Sequence, residues 1–183
     1  TSLVMTSRTL VEQEPNYTYV TARILLDNIR TEALSYLGMQ KQATQKEMEG
    51  LYPQALRNFL AKGVENEILN PELLEMDIDK LGQAIDSSRD TEFTYLGLQT
   101  LYDRYFIHDT EVRYELPQVF FMRVSMGLAL REDNREDRAI EFYNLLSSFD
   151  YMSSTPTLFN SGTKHSQLSS CYLTTVPDDL HGI

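Results

Sequence analysis

Hydrophobic residues recur at three- to five-residue spacing through most of the first 150 positions, which is the period of an amphipathic helix. Start and stop residues divide this region into separate helices, and a buried face recurs in most of them. The predicted helices cover residues 2–13, 16–37, 53–62, a short turn opened by Asn70-Pro71, 79–85, 90–106, a segment that begins at Pro117 and a segment capped by Asn134.

Three details of this pattern make specific predictions. The segment QVFFMRVSMGLAL after Pro117 is apolar on almost all sides, which predicts a helix buried in the core. Residues 39–50 are polar and predict a connection, so that Pro53 falls in the first turn of the next helix. Asp90 is a good N-cap residue and predicts the start of the helix over 90–106.

After about Tyr151 the helical period stops, and Ser, Thr, Asn, Gly and Pro predominate. Residues Leu168 to Val176 combine β-branched, aromatic and small residues, which predicts a strand followed by a turn. A lone strand cannot satisfy its backbone donors and acceptors. We therefore expect the chain to be the front portion of a larger fold, with a small sheet between this strand and residues 108–115 as the alternative.

Composition excludes several classes of function. Of 183 residues, 16 are Lys or Arg and 27 are Asp or Glu, and this formal charge of −11 argues against binding to a nucleic-acid polymer. A single cysteine excludes an internal disulfide and a cysteine-rich zinc site. Neither a stretch of roughly 18 apolar residues nor a signal-peptide pattern is found, so a cytoplasmic protein without membrane contact is expected.

The single cysteine, Cys171, is the first candidate for chemistry. A lone cysteine is most often a small buried hydrophobe, and a reactive thiol requires an accessible, electropositive setting that the sequence does not reveal.

The segment 153–163 is dense in hydroxyls and turn formers, which suits either phosphate binding or local side-chain bonds. Asp178 and Asp179 suit a helix cap, a sugar hydroxyl or a cation. The three histidines are scattered and predict no metal site.

Three motifs follow one another along the chain: PQVFFMRVSMGLAL, FYNLLSSFDYMSSTPTLFNSGT and QLSSCYLTTVPDDL. In this order they resemble the large (α) subunit of class I ribonucleotide reductase. The earlier segment EPNYTYVTARILLDNIRTEAL resembles the end of the family's ATP-cone, so the resemblance covers essentially the whole chain but only the front part of that subunit.

The resemblance implies a fold and a domain plan. The fold class is mainly α: a helical N-terminal domain, with the tail of an ATP-cone, that leads into the first strand of a ten-stranded α/β barrel not completed here. Residues 1–37 would be the end of the ATP-cone-like region, 38–152 the helical domain and 153–183 the start of the catalytic barrel. Asn28 and Thr31 stand where some members carry basic residues, which argues against ATP binding by this chain.

The resemblance also implies site residues. The family reduces ribonucleotides to deoxyribonucleotides by thiyl-radical chemistry with a redox dithiol. Cys171 resembles the first cysteine of that dithiol, and its partner would lie outside this chain. Thr155 and Ser170 resemble substrate-binding residues, and Asp178, Asp179 and Leu180 resemble the segment that binds the deoxynucleotide effector.

Partners and cofactors follow from the same resemblance. The expected partners are the remaining portion of the α subunit, a second α subunit in a homodimer, the radical-bearing β subunit, thioredoxin or glutaredoxin as reductant, and nucleotide substrates and effectors. No cofactor is expected on this chain itself, since the radical-generating metallocofactor belongs to the β subunit and ATP and deoxynucleotides act as effectors. The alternative is a non-catalytic helical interaction module, or a regulatory nucleotide-binding module, that assembles with the rest of a split subunit.

Overall fold

A computed structural model describes residues 2–110 and 112–175 and shows helices that share one hydrophobic core. Within these residues the α-helices are α1 Ser2–Thr9, α2 Tyr17–Tyr36, α3 Gln45–Glu65, α4 Ile78–Gln83, α5 Tyr95–Arg104, α6 Pro117–Ala129, α7 Arg135–Ser147 and α8 Thr155–Asn160. Short 3-10 helices cover Pro71–Glu75 and Ser87–Thr91, and β1 His108–Asp109 pairs antiparallel with β2 Val112–Arg113.

Helix α6 lies at the centre of the core, as its apolar sequence predicts. Nearly all of its side chains are buried, and it packs most extensively against α7. Helix α2 packs against α1 and α5, while α3 packs against α4 and α6. A single hydrophobic core joins buried residues from Val4 in α1 to Leu158 in α8. The mainly helical architecture predicted from the sequence is confirmed.

Helix α3 begins eight residues before Pro53, so the prediction of a connection over 39–50 is wrong for its last six positions. Thr44 and Glu47 form a capping box, in which each side chain bonds the backbone N–H of the other residue. Met48 and Tyr52 are fully buried on the first turns of the helix. Capping and burial together therefore override the tendency of an internal proline to break a helix.

Asp90 does not cap a helix, which corrects the prediction for residues 90–106. Helix α5 begins later, where the Thr94 hydroxyl accepts a hydrogen bond from the Gly97 N–H at 3.3 Å. Asp90 lies instead in the short 3-10 helix, is 2% exposed, and accepts hydrogen bonds inside the core. An acidic residue before a helical stretch can cap that helix, or it can accept hydrogen bonds from donors in the core. The sequence pattern is the same in both cases.

The predicted strand over 168–176 does not form in its described part. Residues 168–175 have no regular secondary structure, and 169–175 are exposed to solvent. The alternative sheet with residues 108–115 is also not formed among the described residues, since β1 pairs only with β2 there. An extended segment without a partner strand cannot form ladder hydrogen bonds, which explains its irregular backbone.

A short helix, α8, occupies part of the region where the sequence shows no helical period. Pro156 lies in its first turn, and Leu158 is its buried residue. The chain then turns at Gly162, which has a φ of +79°, and Thr163 forms an isolated bridge with Leu69. This helix places the hydroxyl-rich segment against α6.

Candidate functional site

A buried ion pair lies beneath the hydroxyl-rich segment. Arg123 of α6 and Glu115 are both fully buried, and the guanidinium donates to the two carboxylate oxygens at 2.8 and 3.2 Å. The third nitrogen, Nη1, donates to the carbonyl oxygens of Leu158, Phe159 and Ser161 at 3.2, 3.4 and 2.8 Å. Buried charges require partners of this kind, so the pair ties the end of α8 to the core.

Two glycines allow the segment to approach α6 closely. A Cβ atom at Gly127 would lie 2.1 Å from the Gly162 nitrogen, a distance that real side chains do not occupy. Beside this contact, the Ser161 hydroxyl donates to the Val124 carbonyl at 2.6 Å. The backbone of residues 161–162 therefore lies in direct contact with α6.

Thr155, a predicted substrate-binding residue, is the first residue of α8 and is exposed. Its hydroxyl lies 3.2 Å from the Tyr105 hydroxyl, and the Tyr105 ring stacks on Phe159 with centroids 4.6 Å apart. Tyr105 therefore contacts both ends of α8: its hydroxyl meets Thr155 at the start, and its ring stacks on Phe159 near the end that Arg123 also binds.

The predicted redox cysteine is accessible to solvent. Cys171 is exposed and free, and its Sγ lies 3.8 Å from the Ser170 hydroxyl. Asn160 Nδ2 donates to the Gln167 carbonyl at 2.7 Å, and the Thr157 hydroxyl donates to the Leu168 carbonyl at 3.4 Å. These two bonds attach residues 167–168 to α8. Only Ser169 then separates Leu168 from the pair Ser170–Cys171.

The remaining predicted site residues, Asp178, Asp179 and Leu180, lie outside the described residues. Within residues 2–110 and 112–175, no cluster of three or more His, Cys, Asp or Glu side chains is placed to hold a metal ion. Among the same residues, no helix has the length and apolar character needed to cross a membrane.

Sequence reasoning does not identify the residues that hold the segment in place. Arg123 lies in a stretch that is apolar almost all round, and a charge in such a stretch needs a buried partner. That rule could have singled out Arg123, but it could not name Glu115 or the carbonyls of α8. Tyr105 is expected on a helix face, and its contact with Thr155 joins residues 50 positions apart.

The contact between Gly127 and Gly162 leads to a stability prediction with a matched control. We expect Gly127→Ala to lower the free energy of unfolding by about 1–3 kcal/mol, since the new methyl group meets backbone atoms that cannot move easily. Gly50 also lies inside a helix, but a methyl group added there would meet no atom within 4 Å. Gly50→Ala should therefore raise stability by about 0.5–1 kcal/mol, because alanine favours the helix.

Urea denaturation of both variants measures these two free energies. Equal effects of the same sign would contradict the close approach of α6 and the hydroxyl-rich segment. Opposite signs would support it, since the two substitutions are chemically identical and differ only in their surroundings.

Comparison with known proteins supplies the family. Residues 91–166 match the family described as "Ribonucleotide reductase, all-alpha domain", a range that includes Arg123, Glu115 and Thr155. The chain is 49% identical over 98% of its length to the ribonucleoside-diphosphate reductase subunit alpha of Chlamydia muridarum, of which it covers 17%. It is 35% identical over 92% of its length to the subunit alpha of Helicobacter pylori, of which it covers 20%.

A third relative is also similar to nearly the whole chain. The chain is 34% identical over 97% of its length to the ribonucleoside-diphosphate reductase large subunit of Danio rerio, of which it covers 21%. The chain thus spans about a fifth or less of the length of these relatives. It belongs to the ribonucleoside-diphosphate reductase α-subunit family and corresponds to the N-terminal region of that subunit.

Proposed function

We propose that this chain works as the N-terminal region of an α subunit that reduces ribonucleoside diphosphates to deoxyribonucleoside diphosphates. The similarity over nearly the whole chain to subunits of that name supports the reaction. The observation that carries the proposal within the structure is an exposed thiol, Cys171, beside the Ser170 hydroxyl and three residues after Leu168, whose carbonyl is bonded to α8. A cysteine that packs only as a small hydrophobe is normally buried.

The proposed reaction assigns one redox thiol to this chain. The ribose loses its 2′-hydroxyl as water and gains a hydrogen at that carbon, which consumes two electrons and two protons. Two thiols supply both when they become a disulfide, and one thiol cannot. Cys171 would therefore act with a second cysteine of the α subunit that lies outside this chain, and thioredoxin or glutaredoxin would restore the dithiol.

The substrate would lie along α8 and the segment that follows it. The Thr155 hydroxyl would donate a hydrogen bond to the diphosphate, and Ser170 would contact the substrate next to Cys171. Both hydroxyls are exposed, and Thr155 already lies within hydrogen-bonding distance of Tyr105. Hydroxyl donors on a well-packed support suit a phosphate group, because they bind it at a fixed position.

Regulation and assembly complete the proposal. Asp178, Asp179 and Leu180 would belong to the site for a deoxynucleotide effector in an α homodimer. The remaining portion of the α subunit would complete the active site, and the radical would come from a metallocofactor in the β subunit of this cytoplasmic enzyme. DNA replication would draw on the deoxyribonucleotides formed.

The direct test is a reconstitution. The chain is combined with the rest of the α subunit, the β subunit, a ribonucleoside diphosphate, an effector and an excess of dithiol, and the deoxyribonucleotide formed is measured. We expect turnover in the complete mixture and none when this chain is left out. Turnover that does not depend on the chain would overturn the proposal.

The alternative, a helical interaction module without catalytic residues, predicts a different behaviour of Cys171. In the proposed enzyme, turnover without reductant should join Cys171 to a partner cysteine in a disulfide that peptide mass spectrometry detects. In an interaction module the thiol would stay reduced after addition of substrate.

A further inference from the structure

The buried side chain of Arg123 binds the C-terminal end of α8. The Arg123 guanidinium donates to carbonyl oxygens of Leu158, Phe159 and Ser161, at and just beyond the last turn of the helix. The last carbonyls of a helix have no partners within the helix, so that bonds from outside define where it ends. Arg123 thus determines the position of the C-terminal end of α8 relative to α6.

Glu115 gives the guanidinium one orientation. Its two oxygens accept hydrogen bonds from Arg123 Nε and Nη2, and Oε2 also accepts one from the Ile107 N–H at 2.8 Å. A bidentate pair of this kind has fixed geometry, and lysine cannot reproduce it. Since both side chains are fully buried, water offers no alternative partners.

The distance from this support to the proposed substrate contact is short. Helix α8 has six residues, from Thr155 to Asn160, and spans about 9 Å at the usual rise per residue. The Leu158 N–H donates to the Ser154 carbonyl and the Ser161 N–H to the Thr157 carbonyl, so backbone bonds link the two ends of α8. We therefore expect a shift of its C-terminal end to move Thr155 as well. The Ser161 hydroxyl bond to Val124 and the contact of Gly162 with Gly127 restrict movement in other directions.

We propose that Arg123, oriented by Glu115, is a positioning residue that places the Thr155 hydroxyl for binding of the substrate diphosphate. The inference rests on the proposed function, since that proposal makes Thr155 a substrate contact. Arg123 touches no substrate itself and acts only through α8. Its effect is therefore expected on substrate binding and not on the chemical step.

The test compares two buried arginines by the same substitution. In the reconstituted enzyme, Arg123→Lys should raise the KM for the ribonucleoside diphosphate about tenfold and leave kcat within about twofold, the pattern of lost binding in the ground state. Arg30→Lys is the matched control, because Arg30 is also buried and paired with a buried carboxylate, Asp90, at 2.7 Å but does not contact α8. Its KM should stay within about twofold of the wild-type value.

A second measurement requires no activity. Hydrogen exchange followed by mass spectrometry should show faster exchange in residues 155–163 of Arg123→Lys, with the amides of α3 unchanged. Glu115→Gln keeps the volume of the side chain and removes its charge, so it should produce the same two changes at smaller size. This variant decides the question if Arg123→Lys does not fold.

The outcomes separate the inference from the proposed function. A KM that rises equally in Arg30→Lys, or unchanged KM and exchange in Glu115→Gln, would overturn the role of Arg123 while wild-type turnover still supports the reductase. A wild-type assembly that reduces no ribonucleoside diphosphate would instead remove the proposed function, and the substrate part of the inference with it.

Discussion

Cys171→Ser is expected to abolish sustained turnover of the assembled enzyme, lowering kcat by at least about a thousandfold. A serine hydroxyl cannot form a disulfide, so the two electrons that the ribose reduction needs are no longer available. The KM for substrate should change little, because Thr155 and Ser170 remain in place. Deoxyribonucleotide formed over many turnovers, with excess dithiol, measures the effect.

The control is Ser169→Ala, a substitution two positions away on the same exposed segment. The Ser169 backbone N–H donates to the Gln167 side chain at 3.0 Å, and this bond does not depend on the serine hydroxyl. We therefore expect this variant to keep wild-type turnover. Normal turnover of Cys171→Ser would refute the redox role, and equal loss in both variants would assign the effect to the segment and not to the thiol.

Asp90→Ala is expected to lower the free energy of unfolding by about 3–5 kcal/mol, the usual cost of removing one partner of a buried ion pair. Asp90 accepts hydrogen bonds from Arg30 and Tyr52 at 2.7 Å each and from Gln118 at 2.9 Å. Burial raises the pKa of its carboxyl group, whereas these donors lower it. The alanine variant leaves the Arg30 charge and two further donors buried without their acceptor.

The matched control is Asp79→Ala, which removes an ion pair with Arg57 on the surface. Those two side chains are 69% and 47% exposed, so the loss should not exceed about 1 kcal/mol. Urea denaturation of the chain measures both values. Equal losses would contradict the assignment of Asp90 to a buried network that joins α2, α3 and α6.

The buried network around Asp90 explains why the sequence pattern wrongly predicts this residue as a helix N-cap. Asp90 precedes an amphipathic stretch, and at that position a cap and a buried acceptor have the same local pattern. Its donors lie 60, 38 and 28 residues away along the chain, as the bonds to Arg30, Tyr52 and Gln118 show. Local periodicity carries no information about partners at such separations.

The start of α3 differs from its prediction for another reason. The capping box of Thr44 and Glu47 is a local signal and is present in the sequence. Pro53 is a competing signal, because proline usually ends or begins a helix. Burial of the first turns of α3 decides between the two.

By itself the sequence determined where most of the helices before residue 150 lie, that α6 is buried, and which family the motifs resemble. These properties depend on residues close together in the chain or on the order of motifs. The tertiary structure alone decided that Arg123 and Glu115 hold α8, that Tyr105 meets Thr155, and that Cys171 is exposed. Each of these depends on contacts between distant segments or on solvent access, which arise only when the helices pack into one core.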